Sequence, residues 1–252
     1  MEPTPGPRVL LELAIASVED AETAEAGGAD RLELNSAFAL GGMTPSLGML
    51  VEVRAAVALP LMVMIRPRRG GFYYSEREFR VLRRDLDLAV KHGADGLVFG
   101  ALTADGKVDA ERCRQLVKAC GKREAVFHRA FDVTPDPFAA LDQLIELGFR
   151  RVMTSGQEES AYNGATRIAE VVARAAGRIE VLPAGGINRF NVADVLARTG
   201  CTQVHTSLQR GRVDPSTAAR PHVHFDKALQ RPQETFDATN PVAVADMRAL
   251  LG

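Results

Sequence analysis

The chain contains the stretch Gly28-Ala-Asp-Arg-Leu-Glu-Leu34, in which a glycine is followed at once by a short strand-like run. Three later segments share this pattern and begin at Gly93, Gly148 and Gly200. Each glycine follows an amphipathic helical stretch, which is typical of a glycine that ends a helix in the left-handed conformation. The repeat therefore predicts four β-strands, each preceded by a helix.

Four more apolar runs alternate with these segments. They are Val9–Ala16, Leu61–Ile65, Glu124–His128 and Glu180–Ala184. Strict alternation of strands and helices favours a parallel sheet, and eight strands in a chain of 252 residues favour closure into a barrel. We therefore predict an α/β fold, a single (β/α)8 TIM-type barrel that covers residues 1–252.

Helix starts agree with this order of elements. Thr44-Pro45, Asp136-Pro137 and Asn240-Pro241 each combine a capping residue with a proline suited to the first helical position. Ser75 and Glu78 have the spacing of a capping box. These pairs predict where four of the helices begin.

Residues 208–239 depart from the alternating pattern. They form a long stretch, rich in proline and charge, between the eighth strand and the last helix. Loops of this length are usually functional or mobile. We expect this loop to fold across the barrel mouth or to form a subunit contact.

Composition excludes several classes of partner. The formal net charge is −1, which removes the electrostatic basis for binding nucleic acid or an anionic membrane surface. The longest apolar stretch, residues 55–65, is too short to span a bilayer. Residues 1–7 resemble no targeting segment, and three cysteines give no disulfide framework. We expect a soluble, cytoplasmic protein.

Charged residues inside the apolar runs point to a site at one end of the barrel. Helices cover the outer face of such a barrel, so a charge within a strand points inward or lies at a strand end. Alignment of the four repeats places Glu33, Val98, Met153 and His205 in one layer of side chains. The next layer towards the mouth contains Asn35, Gly100, Ser155 and Ser207.

The functional interpretation is an active or binding site at the carboxyl ends of the strands. The predicted catalytic residues are Glu12, Glu33, His128 and Asp132. The predicted substrate- or anion-binding residues are Arg66, Arg129, Ser155, Gly185, Gly186 and His205, and no metal ligand is assigned. The structural alternative is an internal ion-pair network in which Arg66 and Arg129 neutralise Glu12 and Glu33, since buried charges need partners.

A glycine pair follows the seventh strand in Pro183-Ala-Gly-Gly-Ile187. Glycines there let backbone amides approach a phosphate at the usual phosphate site of barrel enzymes. The alternative is a tight turn that simply needs glycine.

Several motifs between Leu10 and Gln209 match a known family. They include Arg31-Leu-Glu-Leu34, Gly41-Gly-Met-Thr-Pro-Ser46, Met64-Ile-Arg-Pro-Arg68 and Phe127-His-Arg-Ala-Phe-Asp132. In these motifs the sequence resembles the CutC family, which is associated with copper homeostasis. The resemblance implies a barrel fold, a cytoplasmic location and a homo-oligomer.

The resemblance also raises copper as a ligand. Members of the family often carry cysteine two residues after the glutamates of the first two strands, and those thiols are the proposed copper ligands. Here these positions are Ala14 and Asn35. Because copper(I) prefers thiolate and thioether donors, no cofactor is assigned.

Three hypotheses about function follow from the sequence. The first is a CutC-like barrel that binds or acts on a small anionic metabolite at its mouth, with Glu33 or His128 as the acid or base. The second is a non-catalytic copper-handling protein. The third is an oligomeric scaffold whose mouth charges are only structural.

Overall fold

The computed structural model describes residues 8–223 and 235–252. Eight parallel strands form its main sheet, which confirms the predicted TIM-type barrel. The strands are β1 Leu10–Ile15, β2 Arg31–Leu34, β3 Leu61–Met64, β4 Gly96–Phe99, β5 Glu124–Phe127, β6 Arg151–Thr154, β7 Glu180–Pro183 and β8 Gln203–Thr206. They are hydrogen-bonded in the order β7-β6-β5-β4-β3-β2-β1-β8, and β7 and β8 lie side by side. The sheet is therefore a nearly closed barrel.

In the described part of the chain, a helix follows each of the strands β1 to β7, and an eighth helix lies near the end of the chain. The helices are α1 Val18–Ala26, α2 Leu47–Ala56, α3 Glu76–Lys91, α4 Ala110–Cys120, α5 Pro137–Leu147, α6 Ala165–Ala175, α7 Val192–Thr199 and α8 Pro241–Leu251. Among the described residues, none of these helices has the length and apolar character needed to cross a bilayer.

Three of the predicted helix starts are confirmed. The Asp136 carboxylate accepts the first free amides of α5, and the Asn240 side chain does the same for α8. Ser75 and Glu78 form the predicted capping box at the start of α3. Each of these side chains satisfies amides that have no partner within the helix.

The predicted start at Thr44-Pro45 is wrong. Helix α2 begins at Leu47, and Ser46 caps it by accepting from the amide of Met49. The Thr44 hydroxyl oxygen instead accepts from the backbone amide of Arg66, which lies just beyond β3, at 2.9 Å. The Thr44 oxygen is already used by the Arg66 amide, and Ser46, the next polar residue, caps the helix instead.

Residues 208–239 are not an unbroken loop. Strands β9 Gln209–Val213 and β10 Thr235–Thr239 pair as an antiparallel ribbon, and Arg212 lies over the ring of Phe236 across it. The amide of Thr239 donates to Asp20 of α1, which ties the ribbon to the barrel wall. Residues 224–234 lie outside the described residues, and the expected mouth-crossing or subunit contact stays a prediction.

Side chains alternate between the two faces of the barrel strands. On β1, Leu11, Leu13 and Ile15 belong to the large apolar core between the sheet and the helices. Glu12 and Ala14 therefore face the interior of the barrel. The other strands also send polar side chains inward, and these interior residues build the site.

Candidate functional site

A cavity of about 290 Å³ opens at the carboxyl ends of the strands. This volume is at the lower end of the range for small-molecule sites, roughly 300–1,000 Å³. Seven of the predicted site residues line it: Glu33, Arg66, His128, Arg129, Gly185, Gly186 and His205. The other three, Glu12, Asp132 and Ser155, do not line it. We call this space the mouth cavity.

A layer of paired charges closes the barrel below the mouth cavity. Arg31 donates to Glu12 and, at 2.8 Å, to Gln203, whose amide contacts Glu180. Arg151 bonds Glu180 at 2.8 Å and also donates to Glu124 of β5 at 3.0 Å. We call this layer the floor network. Its arginines are buried and matched by carboxylates, so it is self-contained.

The floor network supports His205 from below. His205 Nδ1 lies 2.8 Å from Glu12 Oε1, while the other oxygen of Glu12 accepts from Arg31. Burial raises the pKa of Glu12, but Arg31 and His205 outweigh burial and hold that pKa well below its ordinary value. Burial lowers the pKa of His205, and the carboxylates of Glu33 and Glu12 reverse this and raise it. Glu12 is therefore an ionised partner that fixes the orientation of the imidazole.

Glu33 is buried and has one free oxygen. Its Oε2 accepts from Asn35 Nδ2 at 2.5 Å and lies 3.8 Å from His205 Nε2. Its Oε1 has no hydrogen-bond partner among the described residues. Burial raises the pKa of Glu33, and the nearby Glu12 carboxylate adds to this effect. A raised pKa makes this carboxyl group better suited to carry a proton than an exposed glutamate.

His128 lines the mouth cavity and has one ring nitrogen without a partner among the described residues. Its Nδ1 accepts from the amide of Ala130 at 3.2 Å, so the neutral ring carries its proton on Nε2. Nε2 has no partner in the described chain. Burial, together with the Arg66 charge, lowers the pKa of His128 to about 3. At neutral pH this residue is therefore a hydrogen-bond donor, whereas the sequence suggested a proton carrier.

The space that His128 occupies depends on a glycine. A Cβ on Gly100 would lie 2.7 Å from His128 Cε1, closer than real contacts allow. The ring also packs against Phe72, with centroids 4.8 Å apart. The missing side chain at position 100 therefore lets the imidazole lie close to the end of β4.

Arg66 holds the loops at the mouth. Its Nη1 donates to the carbonyls of Leu40, Gly41 and Gly42, and its Nη2 donates to Gly70 at 2.8 Å. No carboxylate pairs with it in the described residues, and its buried Nε has no acceptor. Within the described part of the chain, the guanidinium thus has no carboxylate beside it and one buried donor without an acceptor.

Arg129, Asp132 and Ser155 form a second polar group. Asp132 accepts from Arg129 Nε at 2.8 Å and from the backbone amide and hydroxyl of Ser155. It also accepts from Thr154 at 2.6 Å. These contacts occupy both oxygens of Asp132, so it anchors the loop after β6 and does not contact the cavity.

Gly185, the first glycine of the pair, makes room for Arg129. Gly185 and Gly186 have φ values of 102° and 69°, a conformation that favours glycine. A Cβ on Gly185 would lie 3.1 Å from Arg129 Nη1. The guanidinium, which lines the cavity, therefore lies close to the backbone of Gly185. Whether the pair also binds phosphate stays a prediction.

The ion pairs of the structural alternative were wrong. Glu12 is neutralised by Arg31, Arg66 binds backbone carbonyls, and Arg129 pairs with Asp132. Neither Arg66 nor Arg129 forms an ion pair with Glu12 or Glu33 among the described residues. The cationic partner of Glu12 is Arg31 of the floor network.

The repeat that predicted the fold also contained the two arginines and the glutamine of the floor network. Two residues before the layer of Glu33 and His205, the aligned repeats read Arg31, Gly96, Arg151 and Gln203. Sequence reasoning missed three of these as interior residues because they stand at strand starts. The same two-residue period that identified the upper layers gives their inward orientation.

Comparison with known proteins agrees with this architecture. The family model described as CutC family matches residues 9–210. A CutC family protein of Treponema denticola is 49% identical over 229 residues, which cover 91% of this chain and 93% of that protein. The human copper homeostasis protein cutC homolog is 44% identical over 241 residues, or 96% of this chain and 88% of that protein.

A solved structure supports the fold as well. The crystal structure of a CutC protein from Streptococcus agalactiae superposes with a TM-score of 0.75 at 34% sequence identity. The match covers 78% of this chain and 97% of that chain. On the sequence and structural evidence together, this chain belongs to the CutC family.

Proposed function

We propose that this chain binds a small anionic metabolite in the mouth cavity. The supporting observation is a set of three polar atoms without partners in buried side chains that line it: Glu33 Oε1, Arg66 Nε and His128 Nε2. Leaving a buried polar atom unpaired costs about 1–3 kcal/mol. Three such atoms around one cavity are what a binding site requires and what a filled core avoids.

The charges around the cavity favour an anion. Arg66 has no carboxylate partner, and Arg129 extends its Nη1 towards Gly185. His128 adds a neutral donor from the β5 side. Glu33 supplies the acid or base if the bound molecule reacts, since its side chain lines the cavity, its Oε1 has no partner among the described residues and burial raises its pKa.

The test is a thermal-shift screen against hydroxy- and oxo-carboxylates and sugar phosphates. A ligand should raise the melting temperature of the wild type and lose that effect in Arg66→Gln. Arg68→Gln is the matched control, because Arg68 also donates to loop carbonyls but does not line the cavity. A screen with no stabilising compound, or equal shifts in both variants, would contradict the proposal.

Copper(I) fits this cavity less well. Ala14 and Asn35 line it at the positions where the family resemblance expects cysteines. Cys113, Cys120 and Cys201 are buried away from it, and burial raises their pKa values, to about 12 for the first two. The thioethers of Met64 and Met153 are the soft donors left among the described lining residues. The donor set lacks the thiolates that copper(I) prefers, so no step is assigned to copper.

A further inference from the structure

The donors that remain at the cavity floor differ in kind from those of a copper(I) site. His205, Glu33 and Glu12 bring one ligand atom each within 4.8 Å of one another. These are imidazole nitrogen and carboxylate oxygen, which suit divalent ions of borderline or hard character. We propose that His205 Nε2 and the Glu33 carboxylate bind one divalent transition-metal ion, of the type of Zn²⁺ or Mn²⁺.

The first argument is the orientation of His205. Its Nδ1 is fixed by Glu12 at 2.8 Å, and Glu12 is itself held by Arg31 of the floor network. Carboxylate groups commonly orient metal-binding histidines in this way, by accepting from the ring nitrogen that does not contact the metal. The arrangement directs Nε2 towards Glu33.

The second argument is the distance between the two ligand atoms. His205 Nε2 and Glu33 Oε2 are 3.8 Å apart, which is too long for a hydrogen bond. Two ligands about 2.1 Å from one ion lie about 3.4 Å apart in tetrahedral geometry and at most about 4.2 Å apart. The observed spacing falls between these values.

The third argument is the free oxygen of Glu33. Oε1 is buried and has no partner, while Asn35 holds Oε2. The Glu33 side chain is 3% exposed, and both proposed ligands line the mouth cavity. Water or an added anion would complete the coordination from the cavity.

Metal alone tests this inference, without any metabolite. Chelator-treated protein is titrated with Zn²⁺ and Mn²⁺ by calorimetry, and with Co²⁺ while its visible absorption is recorded. We expect one ion per chain, with affinity falling at least about tenfold in Glu33→Gln and in His205→Gln. Glu12→Gln should weaken binding less than the loss of either ligand.

A histidine outside the cavity provides the control. His92→Gln removes an imidazole outside the cavity and should leave the affinity unchanged. Melting curves of each variant without metal show whether it is folded, and Glu33→Asp serves as a second variant that retracts the carboxylate. Absence of binding tighter than millimolar for all three ions would overturn the inference. So would binding that survives in both Glu33→Gln and His205→Gln, which would mark an adventitious surface site. Neither result depends on whether a metabolite binds.

Discussion

His128 should stay neutral, with its proton on Nε2, far below the pH at which histidine normally ionises. Burial and the Arg66 charge lower its pKa from 6.5 to about 3. The unfolded chain therefore takes up more protons than the folded one between these values. The stability that the neutral ring contributes is complete above pH 6.5 and is lost as the pH falls towards 3.

The size of the effect follows from this difference. A pH of 5 lies about 1.5 units below the pKa of histidine in the unfolded chain, so that histidine is protonated there. The ring in the folded protein is still neutral at this pH. This costs about 2 kcal/mol of unfolding free energy relative to pH 7. Carboxylates also titrate in this range, so wild type must be compared with His128→Phe, which keeps the ring packing against Phe72.

Two measurements check this prediction. Urea unfolding at pH 7 and pH 5 should show a loss about 2 kcal/mol larger in wild type than in His128→Phe. Nitrogen-15 spectra of histidine-labelled protein should show the His128 ring in the Nε2–H form down to pH 4. A His128 midpoint near 6.5, or a ring protonated on Nδ1, would refute the reasoning.

Three other substitutions test neighbouring parts of the site. Gly100→Ala should displace the His128 imidazole and cost about 1–3 kcal/mol of unfolding free energy. Gly48→Ala is the control: a Cβ there would have its nearest neighbour 3.9 Å away on an exposed helix face, so this variant should be neutral or stabilising. Arg31→Ala should cost about 3–5 kcal/mol by urea unfolding, because it leaves the buried glutamate of β1 without its cation; a cost below about 1 kcal/mol would contradict the floor network. The double variant Ala14→Cys with Asn35→Cys should bind copper(I) about tenfold or more tightly than wild type in a competition assay, and unchanged affinity would show that these positions do not govern copper binding.

The barrel could be predicted from sequence because its evidence is repeated. Each strand is an apolar run, and a glycine such as Gly93, Gly148 or Gly200 stands between the end of a helix and the next strand. The same pattern therefore recurs along the chain. The meeting of Glu33 with His205 was predictable for the same reason, since equivalent positions in alternate strands share a layer.

The individual partners could not be predicted, because they depend on loops. Arg66 binds the carbonyls of Gly41, Gly42 and Gly70, whose positions are set by two loops that have no periodic pattern. The proton position on His128 likewise depends on one backbone amide just after the strand. Residue type and spacing indicate that such side chains meet, but not which atom each one uses.

The contrast between the two interior layers is the best reason to regard the mouth as functional. In the floor network each buried guanidinium is matched by carboxylates that the barrel strands themselves supply, as at Arg31 and Glu12. Two residues further along β2, Glu33 leaves an oxygen unpaired, although the same fold could place a donor opposite it. Polar atoms left unpaired where partners are structurally available are costly unless something else binds them. The unpaired atoms of the mouth layer therefore support the proposed binding site, while the floor beneath it has the composition of a structural core.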